Sequence, residues 1–285
     1  MTERLRLAIP NKGRLAEPAV KLLRDAGLEF DPHDRRLVAP VENLALDILF
    51  VRANDIVEFL ADGVADVGIT GVDLLAESDA TLRTLRRLGF GHCALSVAVP
   101  DESTYRTVDE LAGSRAATAH PKVARRYFAE RGLDVDVIPL SGAVEVAPRL
   151  GLAEAIVDLV STGSTLAMNG LRPIAEVLAS EAVLVAGPAA EGRADEVAAI
   201  DLMLAAVLAA RSSRYLMMNA PSAQLEILRS LLPALASPSV IPLANPDMIA
   251  IHSVVGGDDV WRLLPSLRAA GASGILVLPI ELMVG

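Results

Sequence analysis

One cysteine, one tryptophan, three tyrosines and five phenylalanines are all that this 285-residue chain has of the residues that cross-link a fold or fill it with rings. A lone Cys93 excludes an intrachain disulfide and any zinc site built on cysteines. It stands beside apolar residues and is expected to be a buried small hydrophobe. With aromatics at 3%, the core must be built from Ala, Val, Leu and Ile. That mix suits parallel strands buried on both faces beneath Ala- and Leu-rich helices. Positive charge is also short: 26 Lys and Arg against 36 Asp and Glu give a formal charge of −10. This argues against nucleic acid as a partner, because phosphate neutralisation needs clustered basic residues. Small phosphorylated ligands are not excluded, since a local Lys/Arg cluster or Mg²⁺ overrides net charge. No apolar stretch approaches a membrane span, and the N-terminal MTERLRLAIPNKGRL lacks the continuous apolar core of an export signal. A cytoplasmic protein without membrane contact is expected, long enough for two or three domains.

Strand and helix signals alternate over the first two hundred residues. Strands are expected at 5–9, 46–51, 66–69, 94–99, 116–119, 135–139, 155–160 and 182–185. Helices are expected from Gly13-Arg14-Leu15 to near Gly27, then over 56–60, 108–112, 122–131 and 144–150. This alternation implies an open, mostly parallel α/β sheet with ligands at the carboxyl ends of its strands. The repetition of the plan from about residue 95 implies two lobes with a cleft, the chain crossing near 92–96 and 180–186. After a helix over 197–210 the pattern changes to strand 215–218, helix 222–232, strands 239–243 and 248–255, helix 258–270 and strand 274–278. That βαββαβ order is the ferredoxin-like plan. Pro265 falls inside the last helix and is expected to kink or split it.

The most informative segment is 155–166. The run Ala155-Ile156-Val157-Asp158-Leu159-Val160 leads into Ser161-Thr162-Gly163-Ser164-Thr165, after which apolar residues resume. The order reads as strand, small-residue loop and helix N-terminus. Such a loop aims several backbone N–H groups and hydroxyls at one point, and the helix dipole adds positive potential there. It is a phosphate cradle by this reading. Asp158, five residues before Gly163, is placed to accept hydrogen bonds from the hydroxyls of a sugar carrying that phosphate. For the small residues alone, an ordinary polar turn with a Ser or Thr cap is an equal account.

Other candidates lie at strand ends. Lys12 and Arg14 suit phosphate oxygens, with Gly13 allowing close backbone approach; a solvated helix-start loop is the plainer account. Arg52 is expected to contact ligand, and Asp55 to cap the helix after it. Gly68-Ile69-Thr70-Gly71-Val72-Asp73 reads as a strand and a phosphate-sized turn, or a turn capped by Thr70. His120 before Pro121 is ambiguous between structure and ligand contact, and Glu145 between a helix charge and ligand contact. No Ser/His/Asp or Cys/His triad is visible, which fits a direct displacement.

Glu145, Gly151, Ala153, Ile156, Asp158, Ser161, Gly163, Thr165 and Leu166 together resemble the signature of the long-form ATP phosphoribosyltransferases, which open histidine biosynthesis. The resemblance implies an α/β fold: a two-lobed core similar to type II periplasmic binding proteins, then a ferredoxin-like (ACT-like) regulatory domain. Lobe one would be 1–94 with 184–212, lobe two 95–183, and the histidine-sensing domain 213–285. The implied reaction moves the 5-phosphoribosyl group of phosphoribosyl pyrophosphate to N1 of ATP, releases pyrophosphate and inverts the anomeric carbon. Mg²⁺ is the implied cofactor, histidine the feedback inhibitor, and a homo-oligomer of dimers assembling into a hexamer the implied state. The resemblance makes Asp158, Lys12 and Arg14 catalytic. It places phosphoribosyl pyrophosphate on Asp158, Leu159, Ser161, Thr162, Gly163, Ser164 and Thr165. The nucleotide falls to Lys12, Gly13, Arg14, Arg52, Thr70, Gly71, Asp73, Leu88, Gly89, His120 and Glu145. Pro238, Ser239 and Gly274 become effector neighbours, and no metal ligand is assigned. The family more usually carries Tyr where this chain has His120. Two rivals stand beside this reading. One is a two-lobed solute-binding or sensor protein without chemistry. The other is a salvage phosphoribosyltransferase acting on a free base, although such enzymes commonly carry two adjacent acidic residues where only Asp158 precedes the loop.

Overall fold

A computed structural model describes residues 4–31, 37–232 and 237–284. The chain divides into two compact units, Met1–Arg24 with Leu28–Ala198, and Asp25–Gly27 with Ala199–Gly285. The first unit opens with β1 (Leu5–Pro10), α1 (Ala16–Asp25), β2 (Val38–Pro40), β3 (Leu46–Val51), α2 (Ala53–Ala61), β4 (Val67–Gly71), α3 (Val72–Glu77) and β5 (Arg83–Arg87). It continues through β6 (Cys93–Pro100), β7 (Arg115–Thr118), α4 (Pro121–Glu130), β8 (Asp136–Pro139), β9 (Ala155–Val160), α5 (Ser164–Met168), β10 (Leu171–Ser180) and β11 (Ala182–Ala186). Helix α6 (Ala194–Arg211) follows, and the unit boundary falls within it.

These strands form two sheets of the same plan. Reading across, β3-β1-β4-β11-β5 in the first matches β8-β7-β9-β6-β10 in the second, and β2 is added at the edge of the first. In each sheet the fourth strand is the one that has just crossed from the other: β6 leaves after β5, and β11 returns after β10. This reciprocal exchange is the two-lobed plan of the type II periplasmic binding proteins. The expectation of a mostly parallel sheet does not hold. β1 runs parallel to β3 and β4, and β7 to β8 and β9, but every other pairing in the two sheets is antiparallel. The exchanged strands enter from the opposite direction, so each crossing imposes antiparallel neighbours.

Both cores are aliphatic, as the shortage of rings requires. Leu7, Ile9, Ile48 and Ile69 are completely buried around the first sheet. Around the second, Val97, Ala116 and Val157 pack with Phe128 of α4. Burying aliphatic side chains of this size contributes roughly 1.5–3 kcal/mol each. The 3₁₀ turns Val108–Leu111 and Val144–Val146 stand where short helices are expected over 108–112 and 144–150.

The second unit contains β12 (Ser213–Pro221), α7 (Leu225–Leu231), β13 (Ser239–Pro242), β14 (Met248–Gly256), α8 (Val260–Ala269) and β15 (Ser273–Pro279). Its sheet is antiparallel throughout, in the order β13-β14-β12-β15, so the unit is ferredoxin-like. Leu216, Met218 and Ile251 on one face of this sheet join Leu228, Leu263 and Leu267 of the two helices in one core. Pro265 does not split α8, which runs unbroken through it. The helix expected over 222–232 is a 3₁₀ turn, Ser222–Gln224, followed by α7.

Candidate functional site

A cavity of about 560 Å³ opens between elements of the two sheets in the first unit. One wall carries Lys12, Gly13 and Arg14 from the β1–α1 connection, Asn54 and Glu58 of α2, and Asp73 and Glu77 of α3. The other carries Ala119, His120 and Lys122 around the start of α4, and Leu159 of β9. Sequence candidates from distant segments therefore meet here: Lys12, Gly13, Arg14, Asp73, His120 and Leu159.

A buried charge cluster joins the walls. Asp73 has a side chain only 2% exposed, and its Oδ1 accepts from Arg14 Nη2 at 2.9 Å. The Ser180 hydroxyl donates to the same oxygen at 2.5 Å, while Asp73's own backbone N–H donates to Ser180 Oγ at 3.1 Å. His120 Nε2 lies 3.5 Å from Asp73 Oδ2. Burial pushes the Asp73 carboxyl up, but hydrogen bonds from His120 and Ser180 and the Arg14 charge outweigh it and bring it down to about 2. The His120 backbone N–H donates to Thr118 Oγ1, whose hydroxyl donates to the Val157 carbonyl. Its ring Nδ1 is buried and has no hydrogen-bond partner among the described residues.

Local sequence explains the seat of Asp73. β4 passes directly into α3, with Gly71 at the N-cap position, so the expected turn at Thr70-Gly71 is absent. Thr70 belongs to the strand, is completely buried, and its hydroxyl has no partner among the described residues, so it neither caps the helix nor reaches the cavity. A Cβ at Gly71 would come within 2.2 Å of Asp73 Oδ1, so only glycine leaves room for the carboxylate. At the other end of α3, Glu77 accepts the backbone N–H groups of Lys122 at 2.8 Å and Val123 at 3.0 Å. These are among the unpaired first-turn amides of α4, and a carboxylate there also meets the positive end of the helix dipole. Lys122 Nζ bonds Asp79 at 2.6 Å.

The β9–α5 segment has the expected order of strand, loop and helix. Gly163 takes φ +77 at the N-cap position, a left-handed conformation suited to glycine. Thr162 and Ser164 hydroxyls lie 2.9 Å apart, and Ser161, Thr162, Ser164 and Thr165 are exposed. Helix α5 is only five residues long, so its dipole is small and the loop's own amides and hydroxyls must supply most of any anion affinity. Asp158 is half-buried on β9 and accepts the Leu159 N–H at 2.8 Å. Burial pushes its carboxyl up, and the Glu145 carboxylate pushes the same way, against the Leu159 N–H and His120. Neither Asp158 nor residues 161–165 line the cavity; Leu159 is their nearest neighbour in sequence that does.

Other candidates fall elsewhere. Arg52, exposed, occupies the N-cap position of α2, whose first residue is Ala53. Asp55 therefore sits in the first turn rather than at the cap. Leu88 is completely buried, and the Gly89 N–H bonds Glu181 at 3.3 Å, both away from the cavity lining. Cys93 is half-buried rather than buried, and burial raises its thiol. In the second unit, Ser239 on β13 and Gly274 on β15 lie at opposite edges of the sheet, and half-buried Pro238 precedes β13. Sequence reasoning missed Ser180, Glu77 and Lys122. No local pattern marks them, because their roles arise from contacts 45 to 107 residues away.

Among the described residues, no group of three or more His, Cys, Asp or Glu is arranged to hold a metal ion. No helix among them is long and apolar enough to cross a membrane.

Comparison with known proteins adds two family matches. The model described as ATP phosphoribosyltransferase matches residues 52–207, and the one described as HisG, C-terminal domain, matches 210–282. The ATP phosphoribosyltransferase of Haloarcula marismortui is 46% identical over 284 residues, spanning 98% of this chain and 100% of that one. That of Methanococcoides burtonii is 41% identical over 282 residues, spanning 98% and 99%. Among solved structures, the ATP phosphoribosyl transferase (HisG:HisZ) complex from Thermotoga maritima is 32% identical with a TM-score of 0.62, covering 70% of this chain and 96% of that one.

Proposed function

The chain belongs to the ATP phosphoribosyltransferase family, in its long form, and from that premise we propose how its cavity carries the transfer. The reaction joins the 5-phosphoribosyl group of phosphoribosyl pyrophosphate to N1 of ATP and expels pyrophosphate. The observation that carries the assignment is the convergence of Lys12 and Arg14 from one sheet with His120 and Leu159 from the other on one cavity, Leu159 leading into the Ser161–Thr165 loop. Family membership sets aside the sensor and free-base readings.

The anomeric carbon gains oxocarbenium character as pyrophosphate departs, so catalysis rests on positioning and charge stabilisation. The loop Ser161-Thr162-Gly163-Ser164-Thr165 holds the 5-phosphate through amides and hydroxyls. Asp158 accepts from the ribose hydroxyls, with Glu145 close enough to influence its carboxyl. Lys12 and Arg14 hold phosphate oxygens of the departing pyrophosphate or of ATP, with Arg52 as a further basic contact on the same lobe. Gly13 and the His120 ring line the nucleotide side, and Gly71 acts through the Asp73 carboxylate for which it leaves room. No general base is required, because N1 attacks through its own lone pair.

Mg²⁺, when bound, offsets the charge developing on pyrophosphate. The donor set suits an ion that arrives chelated by substrate phosphates. Of the cavity carboxylates, Asp73, Glu77 and Asp79 are engaged by Arg14, the α4 amides and Lys122, leaving Glu58 as the residue that would hold it. The second unit is the seat of histidine inhibition. Ser239 and Gly274 stand on opposite sheet edges, so an effector touching both needs two copies of the chain, in keeping with a homo-oligomer. A cytoplasmic setting fits a substrate such as ATP.

The test is pyrophosphate release from ATP plus phosphoribosyl pyrophosphate, with and without histidine. Release that requires both substrates and falls with histidine supports the reading. Turnover of free adenine in place of ATP, or no release at all, refutes it.

A further inference from the structure

Asp73 faces a cavity meant for two polyanions, where an unpaired carboxylate would repel both. Its charge is already spent. Oδ1 takes Arg14 at 2.9 Å and the Ser180 hydroxyl at 2.5 Å, and Oδ2 faces His120 Nε2 at 3.5 Å. Ser180 is 4% exposed and is the last residue of β10, immediately before the chain crosses back to the first sheet. It both donates to the carboxylate and accepts Asp73's backbone N–H, which fixes the side chain's rotamer from a point 107 residues away. Gly71 completes the seat by leaving room for the carboxylate. Arg14 in turn gives Nη2 to Asp73 and Nε to the Gly91 carbonyl at 3.3 Å, so its planar fork is oriented before any ligand arrives.

We infer that Asp73, locked by Ser180, is a positioning residue that holds the Arg14 guanidinium and the His120 ring on facing walls of the cavity and binds neither substrate. This revises Asp73's place among the nucleotide contacts and rests on the proposed role of Arg14 as a phosphate ligand. The role of Ser180 is to register the two lobes. When β10 and α3 hold their present relation, Asp73 is locked and Arg14 is aimed; when they part, the lock opens.

The experiment measures kcat and both KM values for the wild type, Ser180→Ala, Ser180→Thr, Asp73→Asn, Arg14→Ala and the Arg14→Ala/Ser180→Ala double variant, with a melting curve for each. Ser180→Ala and Asp73→Asn are expected to lower kcat by roughly 10-fold or more with KM changed less than about threefold, the signature of an interaction made in the transition state. Ser180→Thr restores most of the loss. On the Arg14→Ala background Ser180→Ala costs less than about twofold, because coupled residues are not additive. The acid limb of the kcat profile moves to higher pH in Ser180→Ala, since the carboxyl loses a donor while Arg14, His120 and the Cys93 thiol still face it. A wild-type kcat in Ser180→Ala, full additivity with Arg14→Ala, or a rise in one KM at unchanged kcat would each overturn the inference. The last would make Asp73 a substrate ligand. Wild-type kinetics in Arg14→Ala would remove the phosphate-ligand reading itself, and the inference with it. Should Ser180→Ala fail to fold, Ser180→Cys keeps the volume while weakening the bond.

Discussion

Replacing Asp158 by Ala separates a functional carboxylate from a structural one, because the two make opposite predictions for stability. The half-buried carboxyl is pushed up by burial and by Glu145. A carboxyl raised in the folded state costs nothing at acid pH, where it is protonated folded and unfolded alike. The cost grows as pH rises past the ordinary carboxylate value and is fully present above the raised one. At neutral pH the wild type therefore carries a penalty that Asp158→Ala relieves, and its melting temperature should hold or rise. Activity should move the other way. Losing two hydrogen bonds from ribose hydroxyls to a carboxylate costs on the order of 2–4 kcal/mol. That corresponds to roughly 30- to 1,000-fold in kcat/KM for phosphoribosyl pyrophosphate. The assay is initial-rate pyrophosphate release at varied sugar donor, beside melting curves at pH 5 and pH 8. Two results would refute the reasoning: kcat/KM within about threefold of wild type, or a melting temperature that drops along with the activity.

Further outcomes follow from other residues. Gly71→Ala drives a Cβ into the Asp73 carboxylate, so kcat should fall as it does in Asp73→Asn, read in the same assay. Gly163→Ala has open space but a φ of +77, so a destabilisation of about 1 kcal/mol and a raised KM for phosphoribosyl pyrophosphate are expected from denaturant melts and kinetics. The Asp73 carboxyl, held at about 2, contributes on the order of 2 kcal/mol that is fully present above about pH 4 and is lost as pH falls toward 2. Acid unfolding curves should be less steep in that window for Asp73→Asn. Histidine inhibition should weaken on dilution into the range where mass measurement shows single chains, and inhibition unchanged there would refute an effector site spanning two copies.

Several elements were hidden from pattern reading for physical reasons. β10 contains Pro173, Ala175 and Glu176, which argue against a strand. It forms because it lies at a sheet edge and breaks register against β6 between Pro173 and Ala175 and again between Glu176 and Leu178. β5, with the sequence RTLRR, is likewise an edge strand whose arginines are spared burial. Thr70-Gly71 has the composition of a turn, yet Thr70 pairs with Val183 of β11 and is consumed by the strand. Where burial enforces a pattern the sequence was legible: β9 spans 155–160 as its apolar run requires, and the second unit keeps its βαββαβ order.

What the amino-acid order determined on its own is local: aliphatic periodicity, turn chemistry and the Ser-Thr-Gly-Ser-Thr loop follow from contacts within a few residues. What it left to tertiary structure is every relation that depends on the two strand exchanges. Only their geometry decides that Ser180 meets Asp73, that Glu77 caps α4, and that Arg14 and His120 face each other across one cavity. The reason is range. Backbone propensity acts within a turn or a strand, whereas a buried ion cluster needs groups from four separate segments, brought close enough to offset the cost of leaving water.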